Sequence, residues 1–322
     1  MHLLVTGATG FVGNALISTL ASGKKHVVRA CVRRADVVLP TNVEAAMIAD
    51  LSVETDWHEA LGHIDAVVHA AARVHVMDET SSDPLSEFRR VNVAGTLNLA
   101  RQAAAAGVRR FIFVSSIKVN GERTTPGRPY TADDVPQPQD PYGVSKHEAE
   151  QGLLSLAQET GMEVVIIRPV LVYGPGVKAN FQSMMRWLDK GVPLPLGGIN
   201  SNRRSMVALD NLVDLIVTCL EHPAAVNQVF LVSDGEDLST TGLLQRTAKA
   251  LQKPARLLPV PAWILSTAAR MLGKEHVAQR LCGSLQVDIG KTSSLLGWRP
   301  PVKMDAALRA TAKAFQARQE QR

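Results

Sequence analysis

Short apolar runs alternate with longer stretches of helical periodicity through the first half of this 322-residue chain. The runs are Leu3–Val5 (opening at His2), Val27–Val32, Ala45–Ala49, Asp65–Ala70, Phe111–Val114 and Val164–Arg168. Each is too short for a stable helix, and most are apolar almost throughout rather than at alternate positions. Strands of that kind are covered on both faces, as in a parallel sheet sandwiched between helices. The intervening segments supply those helices: one over 11–21, and two long ones over 84–106 and 141–159. Gly107 and Gly161 stand just past the long ones, as glycine does at a helix stop. The pattern predicts an α/β fold, a Rossmann-type doubly wound parallel sheet.

The alternation loosens after Arg168-Pro169, where Pro175, Pro193, Pro195 and several glycines scatter the strands. We therefore expect a dinucleotide-binding domain over 1–168 and a smaller C-terminal substrate-binding lobe over 169–322. Segments near 205–235, including Met206–Ala208 and Val229–Val232, are expected to interleave between the two. A helix-rich piece follows over 261–283, and a polar-faced helix from Met304 closes the chain. The stretch around Trp263, Leu265, Met271 and Leu272 suggests either a membrane-surface helix or ordinary packing within the lobe, and packing is the expectation.

No run approaches the roughly 20 apolar residues of a membrane span, so stable membrane insertion is not expected. The first strand begins at the second residue, so a cytoplasmic location is expected. The formal charge of +5 is dispersed in doublets such as Arg33-Arg34, Arg89-Arg90, Arg109-Arg110 and Arg203-Arg204. That dispersal favours small anionic ligands over nucleic acid. Cys31, Cys219 and Cys282 lie far apart without metal-ligand spacing and read as reduced thiols; no metal is expected.

Candidate chemistry begins at Thr6-Gly7-Ala8-Thr9-Gly10-Phe11-Val12-Gly13, where the first strand ends in three glycines spaced three apart and a helix opens. Glycine permits a sharp turn and close approach of a phosphate, and the helix N-terminus presents free N–H groups to it. Such a pattern alone could be only a tight strand-to-helix turn. Further along, Tyr142 and Lys146 stand at i and i+4, one face of a helix. A free phenol has a pKa of about 10. A neighbouring ammonium and the helix dipole should make Tyr142 more acidic, able to exchange a proton with a sugar hydroxyl or ketone. Ser115-Ser116 ends the fifth strand, at the carboxyl edge where ligands bind in such sheets, and a serine hydroxyl there can hold the same oxygen.

With these landmarks in order, the chain resembles the extended short-chain dehydrogenase/reductases. Within them it is similar to the nucleotide-sugar group that includes UDP-glucose 4-epimerases and 4-keto-sugar reductases. The resemblance spans essentially the whole length and rests on Thr6–Gly13, Asp50-Leu51, His69–Ala72, Asn92, Ser115-Ser116, Tyr142 with Lys146, and Arg168-Pro169 followed by Val172–Gly176. It implies Ser116, Tyr142 and Lys146 as catalytic residues. It implies cofactor contacts from Gly7, Thr9, Gly10, Phe11, Val12, Gly13, Asp50, Leu51, Ala70, Ala71, Ala72, Asn92, Ser115, Tyr142, Lys146, Pro169 and Leu171. Asp50 would hold the adenine amine, Leu51 would pack on the ring, and Asn92 would support the active-site helix. Asn180 and Arg204, with Ser116, would contact substrate, Arg204 gripping a phosphate. Leu171 stands where many epimerases carry Asn, and Asn120 where the family shows Tyr; both departures bear on the sugar pocket.

The second strand ends in Arg33-Arg34 with no acid before Asp36, which suits a 2′-phosphate and favours NADP(H), with NAD(H) as the alternative. Ser115–Gly121 also resembles the branch that reduces UDP-4-keto-6-deoxy-hexosamines. The leading expectation is therefore NADP(H)-linked 4-keto reduction of a UDP-sugar. UDP-hexose 4-epimerisation at the same site is the alternative, and a non-catalytic cofactor sensor a remote one. The two long helices resemble the pair through which family members form homodimers, with Leu97, Ala100, Ala104, Leu153 and Leu154 as the apolar stripe.

Overall fold

The computed structural model describes residues 1–74, 83–125, 127–273 and 275–320. Among the described residues ten strands are formed: β1 His2–Thr6, β2 Val27–Val32, β3 Val43–Met47, β4 Ala66–His69, β5 Arg110–Val114, β6 Glu163–Pro169, β7 Leu171–Tyr173, β8 Arg204–Ala208, β9 Gln228–Val232 and β10 Asp237–Leu238. Seven make one parallel sheet in the order β3-β2-β1-β4-β5-β6-β9, and β10-β8-β7 make a small second sheet. The order reverses direction between β1 and β4, which opens a crevice at the carboxyl ends of those strands.

Strand residues alternate strictly between the two faces. Leu3, Val5, Val68, Ile112, Val165 and Ile167 belong to one core with Leu16 and Ile17 of the helix Phe11–Gly23. Leu4, Val67, Phe111, Phe113, Val164 and Ile166 belong to the other, with Leu99, Ala103, Leu153 and Leu156. Both cores are apolar, which is why these strands read as continuous hydrophobic runs. A third core around Tyr173, Phe181, Met185, Leu244, Leu308 and Phe315 holds the smaller lobe.

The structure adds three details to the pattern. Met206–Ala208 belongs to β8 of the small sheet, whereas Val229–Val232 returns to the large sheet as part of its edge strand β9. The expected single helix over 84–106 is an α-helix Pro84–Phe88, a wider π-helical stretch Arg89–Gly95, and a second α-helix Thr96–Ala105. Arg110, half of a doublet read as surface charge, is buried: its guanidinium donates to the carbonyls of Cys219, Leu220 and His222 at 2.7, 2.9 and 3.1 Å. It thereby satisfies the open carbonyl end of the helix Leu209–Glu221.

The expected dimer stripe is largely internal. Ala100 and Leu153 are fully buried in the second core, and Leu97 packs into the notch left by Gly152 on the helix Pro141–Thr160.

Candidate active site

The parallel register sets the site out along one edge. Thr6 pairs with His69, His69 with Phe113, and Phe113 with Ile166, so Gly7, Ala70, Val114 and Ile167 come next, and Ser115 and Arg168 lie one residue beyond that row. Gly7 has φ +67°, and a Cβ there would lie 2.7 Å from the Ala71 nitrogen. A Cβ on Gly13 would collide with the Gly7 carbonyl oxygen. Gly10 caps the following helix without any side-chain cap, leaving the first-turn N–H groups of Phe11 and Val12 open to a ligand. Ala70, Ala71 and Ala72 lie half-buried beside this turn, with Thr9 exposed at its tip. A cradle that tolerates no side chain and ends at open helix N–H groups fits the pyrophosphate of a dinucleotide.

Across the crevice, Tyr142 occupies the first turn of Pro141–Thr160, whose N-cap Asp140 accepts from Gly143 N–H at 2.7 Å. Its ring lies edge-on to Phe88, with centroids 6.0 Å apart. Lys146 follows one turn later, buried, donating from Nζ to the Val114 carbonyl at 2.9 Å and sitting 4.3 Å above the Phe113 ring. Half-buried Ser116 caps a short 3-10 turn, accepting from Lys118 N–H at 3.2 Å. Asn92 lies in the π stretch, where the wider turn lets its side chain reach three partners. It accepts from Arg73 N–H at 2.8 Å and donates to Arg73 O and Ser145 Oγ, both at 3.0 Å. Ser145 in turn donates to the Tyr142 carbonyl at 2.8 Å, so Asn92 joins the loop after β4 to the start of the tyrosine helix.

The electrostatics differ from the expectation. Burial pushes the Tyr142 phenol up, and the nearby Asp140 carboxylate adds to the effect. Lys146 is itself pushed down to about 7 by burial, partly offset by Glu150. Desolvation disfavours both charged forms, so the helical i, i+4 spacing alone does not make the phenol acidic. His69 is likewise held neutral, its pKa pushed down to about 3 by burial and then by Lys146, between the hydroxyls of Thr6 and Thr96 at 2.7 and 2.9 Å.

Ser115, expected at the cofactor, and Asn120, expected to bear on the sugar pocket, are engaged inside the protein. Ser115 Oγ donates to Glu150 at 2.5 Å, and Glu150 is held by Arg168 through Nε at 2.9 Å and Nη2 at 2.5 Å. Arg168 Nη1 also donates to Asn120 Oδ1 at 3.0 Å, and Asn120 donates to the Thr131 carbonyl at 2.9 Å. Asn120 is thus a buried member of this network, not a wall of an open sugar pocket. Pro169 closes β6 and is buried, whereas Leu171 on β7 is half exposed. Asp50 is exposed and accepts from Thr55 Oγ1 at 3.0 Å, and half-buried Leu51 packs against Gly95. At the end of β2, Arg34 pairs with Asp36 at 3.2 Å, while Arg33 is exposed and has no carboxylate partner among the described residues.

On the smaller lobe, Arg204 donates to the Gly283 carbonyl at 3.3 Å, and burial and then Arg280 depress its pKa. Two guanidiniums close enough for one to lower the other's pKa fit a polyphosphate. Arg280, on the helix Glu275–Cys282, carried no motif; only the fold brings it to Arg204. Asn180 is exposed in the first turn of Ala179–Asp189.

Residues 3–233 match the model of the NAD dependent epimerase/dehydratase family. The chain belongs to that family. It is an enzyme by membership, and a UDP-glucose 4-epimerase of Vibrio cholerae is 50% identical to it over 97% of this chain and 95% of that one. The fold is shared with UDP-glucuronic acid 4-epimerase from Bacillus cereus in complex with NAD, at TM-score 0.79 and 22% identity, covering 98% and 96% of the two chains. It is also shared with RMD from Pseudomonas aeruginosa complexed with NADPH, at TM-score 0.72 and 23% identity, covering 98% and 99%. Both dinucleotides thus occur on this architecture.

Proposed function

We propose that this family member interconverts C4 epimers of a UDP-hexose. The carrying observation is the 50% identity, over nearly the whole of both chains, to the Vibrio cholerae UDP-glucose 4-epimerase. That likeness reverses the expectation of keto-sugar reduction, which rests on Arg33-Arg34 and on the resemblance of Ser115–Gly121 to the reducing branch. The geometry supports a shared site for either chemistry: the glycine cradle, Ser116, Tyr142 and Lys146 line one sheet edge.

A bound nicotinamide dinucleotide supplies hydride exchange at C4 and, when oxidised, a positive charge. Tyr142 holds or receives the proton of the C4 oxygen, Ser116 donates a hydrogen bond to that oxygen, and Lys146 sets the local charge. Burial raises its pKa, so Tyr142 is protonated in the ligand-free protein and must give up that proton before it can accept one from a C4 hydroxyl; the protonated form is the one that returns a proton to the 4-keto sugar. Arg204 and Arg280 hold the diphosphate. Arg33, the exposed cation at the end of β2, favours NADP(H) over NAD(H), and the same site serves with either. Two copies pair through the half-buried Leu97 and Leu154 side of the long helices.

The test is to incubate the purified protein with UDP-glucose or UDP-galactose and follow the anomeric protons by NMR. Appearance of the C4 epimer without net dinucleotide consumption is the expected result. Stoichiometric NADPH oxidation with a UDP-4-keto sugar, without epimer exchange, would establish the reductase reading instead.

A further inference from the structure

The helix Ala262–Met271 is amphipathic in the wrong sense for a helix that only covers a core. None of its residues is buried. Its inner face, Ala262, Leu265, Ser266 and Ala269, is half-buried, with Ala262 and Leu265 against the lobe core. The outward arc of roughly 140° holds Trp263, Ile264, Thr267, Ala268 and Met271, without a charge among them. Trp263 is 70% exposed, Met271 84%, and Leu272 at the helix end 72%. Packing within the lobe, the expectation from sequence, accounts for Leu265 but not for this outer face. Exposed large apolar side chains gathered in one patch mark an interaction surface.

Charge identifies the occupant. From Lys253 to Lys274 the chain carries Lys253, Arg256, Arg270 and Lys274 and no acid, with Glu275 following. Lys253 is paired with Asp189, which leaves the segment cationic. A second copy docked face to face would set cation against cation. We propose that this helix is a peripheral membrane-binding face, seated on an anionic phospholipid surface with Trp263, Met271 and Leu272 in the headgroup region. A tryptophan and aliphatic side chains flanked by arginine and lysine are the groups that partition to that boundary. No helix among the described residues is long and apolar enough to cross a membrane, so the contact is interfacial.

The fold ties this segment to the strand that carries Arg204. The bridge between Gly198 and Pro261 anchors the start of the helix, and Gly283, just past the next helix, supplies the carbonyl bound by Arg204. This proposal stands independently of the sugar or dinucleotide used.

The full chain is sedimented with phosphatidylcholine vesicles, with and without phosphatidylglycerol. Anionic vesicles should bind it at least about tenfold more strongly, and added salt should weaken the binding. A variant combining Trp263→Ser, Met271→Ser and Leu272→Ser should lose about tenfold in partitioning and keep its turnover and melting transition. In a Trp187→Phe background, brominated lipid should quench Trp263 fluorescence in the otherwise native chain, independently of how the triple variant folds. Absence of native binding to either vesicle, unchanged binding by a folded triple variant, or unquenched Trp263 overturns the proposal. So does concentration-dependent self-association abolished by the triple variant, which would make a second copy the occupant.

Discussion

Glu150→Gln offers the sharpest test of how the site is supported. The carboxylate is 2% exposed and its partner Arg168 4%, so neither charge has water to fall back on. Glu150 accepts from Ser115 at 2.5 Å and from Arg168 Nε and Nη2 at 2.9 and 2.5 Å. Glutamine keeps the volume and most of the hydrogen-bonding reach but leaves the guanidinium uncompensated in the interior. Removing one partner of such a pair costs about 3–5 kcal/mol. Arg168→Met should cost a similar amount by leaving the carboxylate alone. The double variant carries neither charge, so its loss should fall well short of the sum, with a coupling of about 1–3 kcal/mol. Equilibrium urea unfolding of the four proteins, all free of dinucleotide, measures the cycle. A Glu150→Gln loss below about 1 kcal/mol, or strictly additive losses, would show that water reaches the pair and refute the reasoning. Lys146 lies one turn before Glu150 and is the ammonium this carboxylate favours, so the variant should also lower the lysine pKa further.

The other predictions address the cradle, the proton and the cofactor. Gly13→Ala should abolish dinucleotide binding, measured by calorimetry, because its Cβ meets backbone at Gly7 and no rotamer relieves that; retained affinity refutes the cradle. Tyr142→Phe should fold normally and lose about 10²–10⁴-fold in kcat, and a loss under tenfold would move proton transfer elsewhere. Burial holds Lys146 near 7 against an ordinary 10.5, so the cost of its charge is full below about pH 7. That cost is relieved as pH rises toward 10.5, because the unfolded chain then binds the proton the folded chain has released. Relative to Lys146→Met, the native protein should therefore gain about 2–3 kcal/mol between pH 7 and pH 9 in denaturant titrations; a flat difference refutes the assignment. Arg33→Ala should weaken NADP(H) binding by about tenfold or more and leave NAD(H) unchanged, whereas equal effects on both would remove its role at a 2′-phosphate.

Local physics was readable without coordinates. The strand runs, the glycine turn after Thr6, the helix stops at Gly107 and Gly161, and the Tyr142–Lys146 spacing each depend on residues close in sequence, where backbone sterics and periodicity leave few choices. Side-chain allegiance was not. Ser115 turns to Glu150, Asn120 to Arg168, and Arg110 to a helix end more than a hundred residues away. Each is a long-range pairing that buries a polar group and so must satisfy it, and nothing in the neighbouring residues announces the partner. The tyrosine's charge state escaped a local reading for the same reason: helical spacing is local, but the desolvation that opposes ionisation comes from burial in the folded chain. Likewise an amphipathic stripe at Trp263 looks identical whether it faces a core or solvent, because periodicity defines a face and not its direction. The sequence by itself thus determined the sheet, the cradle and the reactive residue types. Tertiary structure decided which polar groups remain open to a ligand, what charge they carry, and which apolar helix points outward, since burial is a property of the whole assembly of elements.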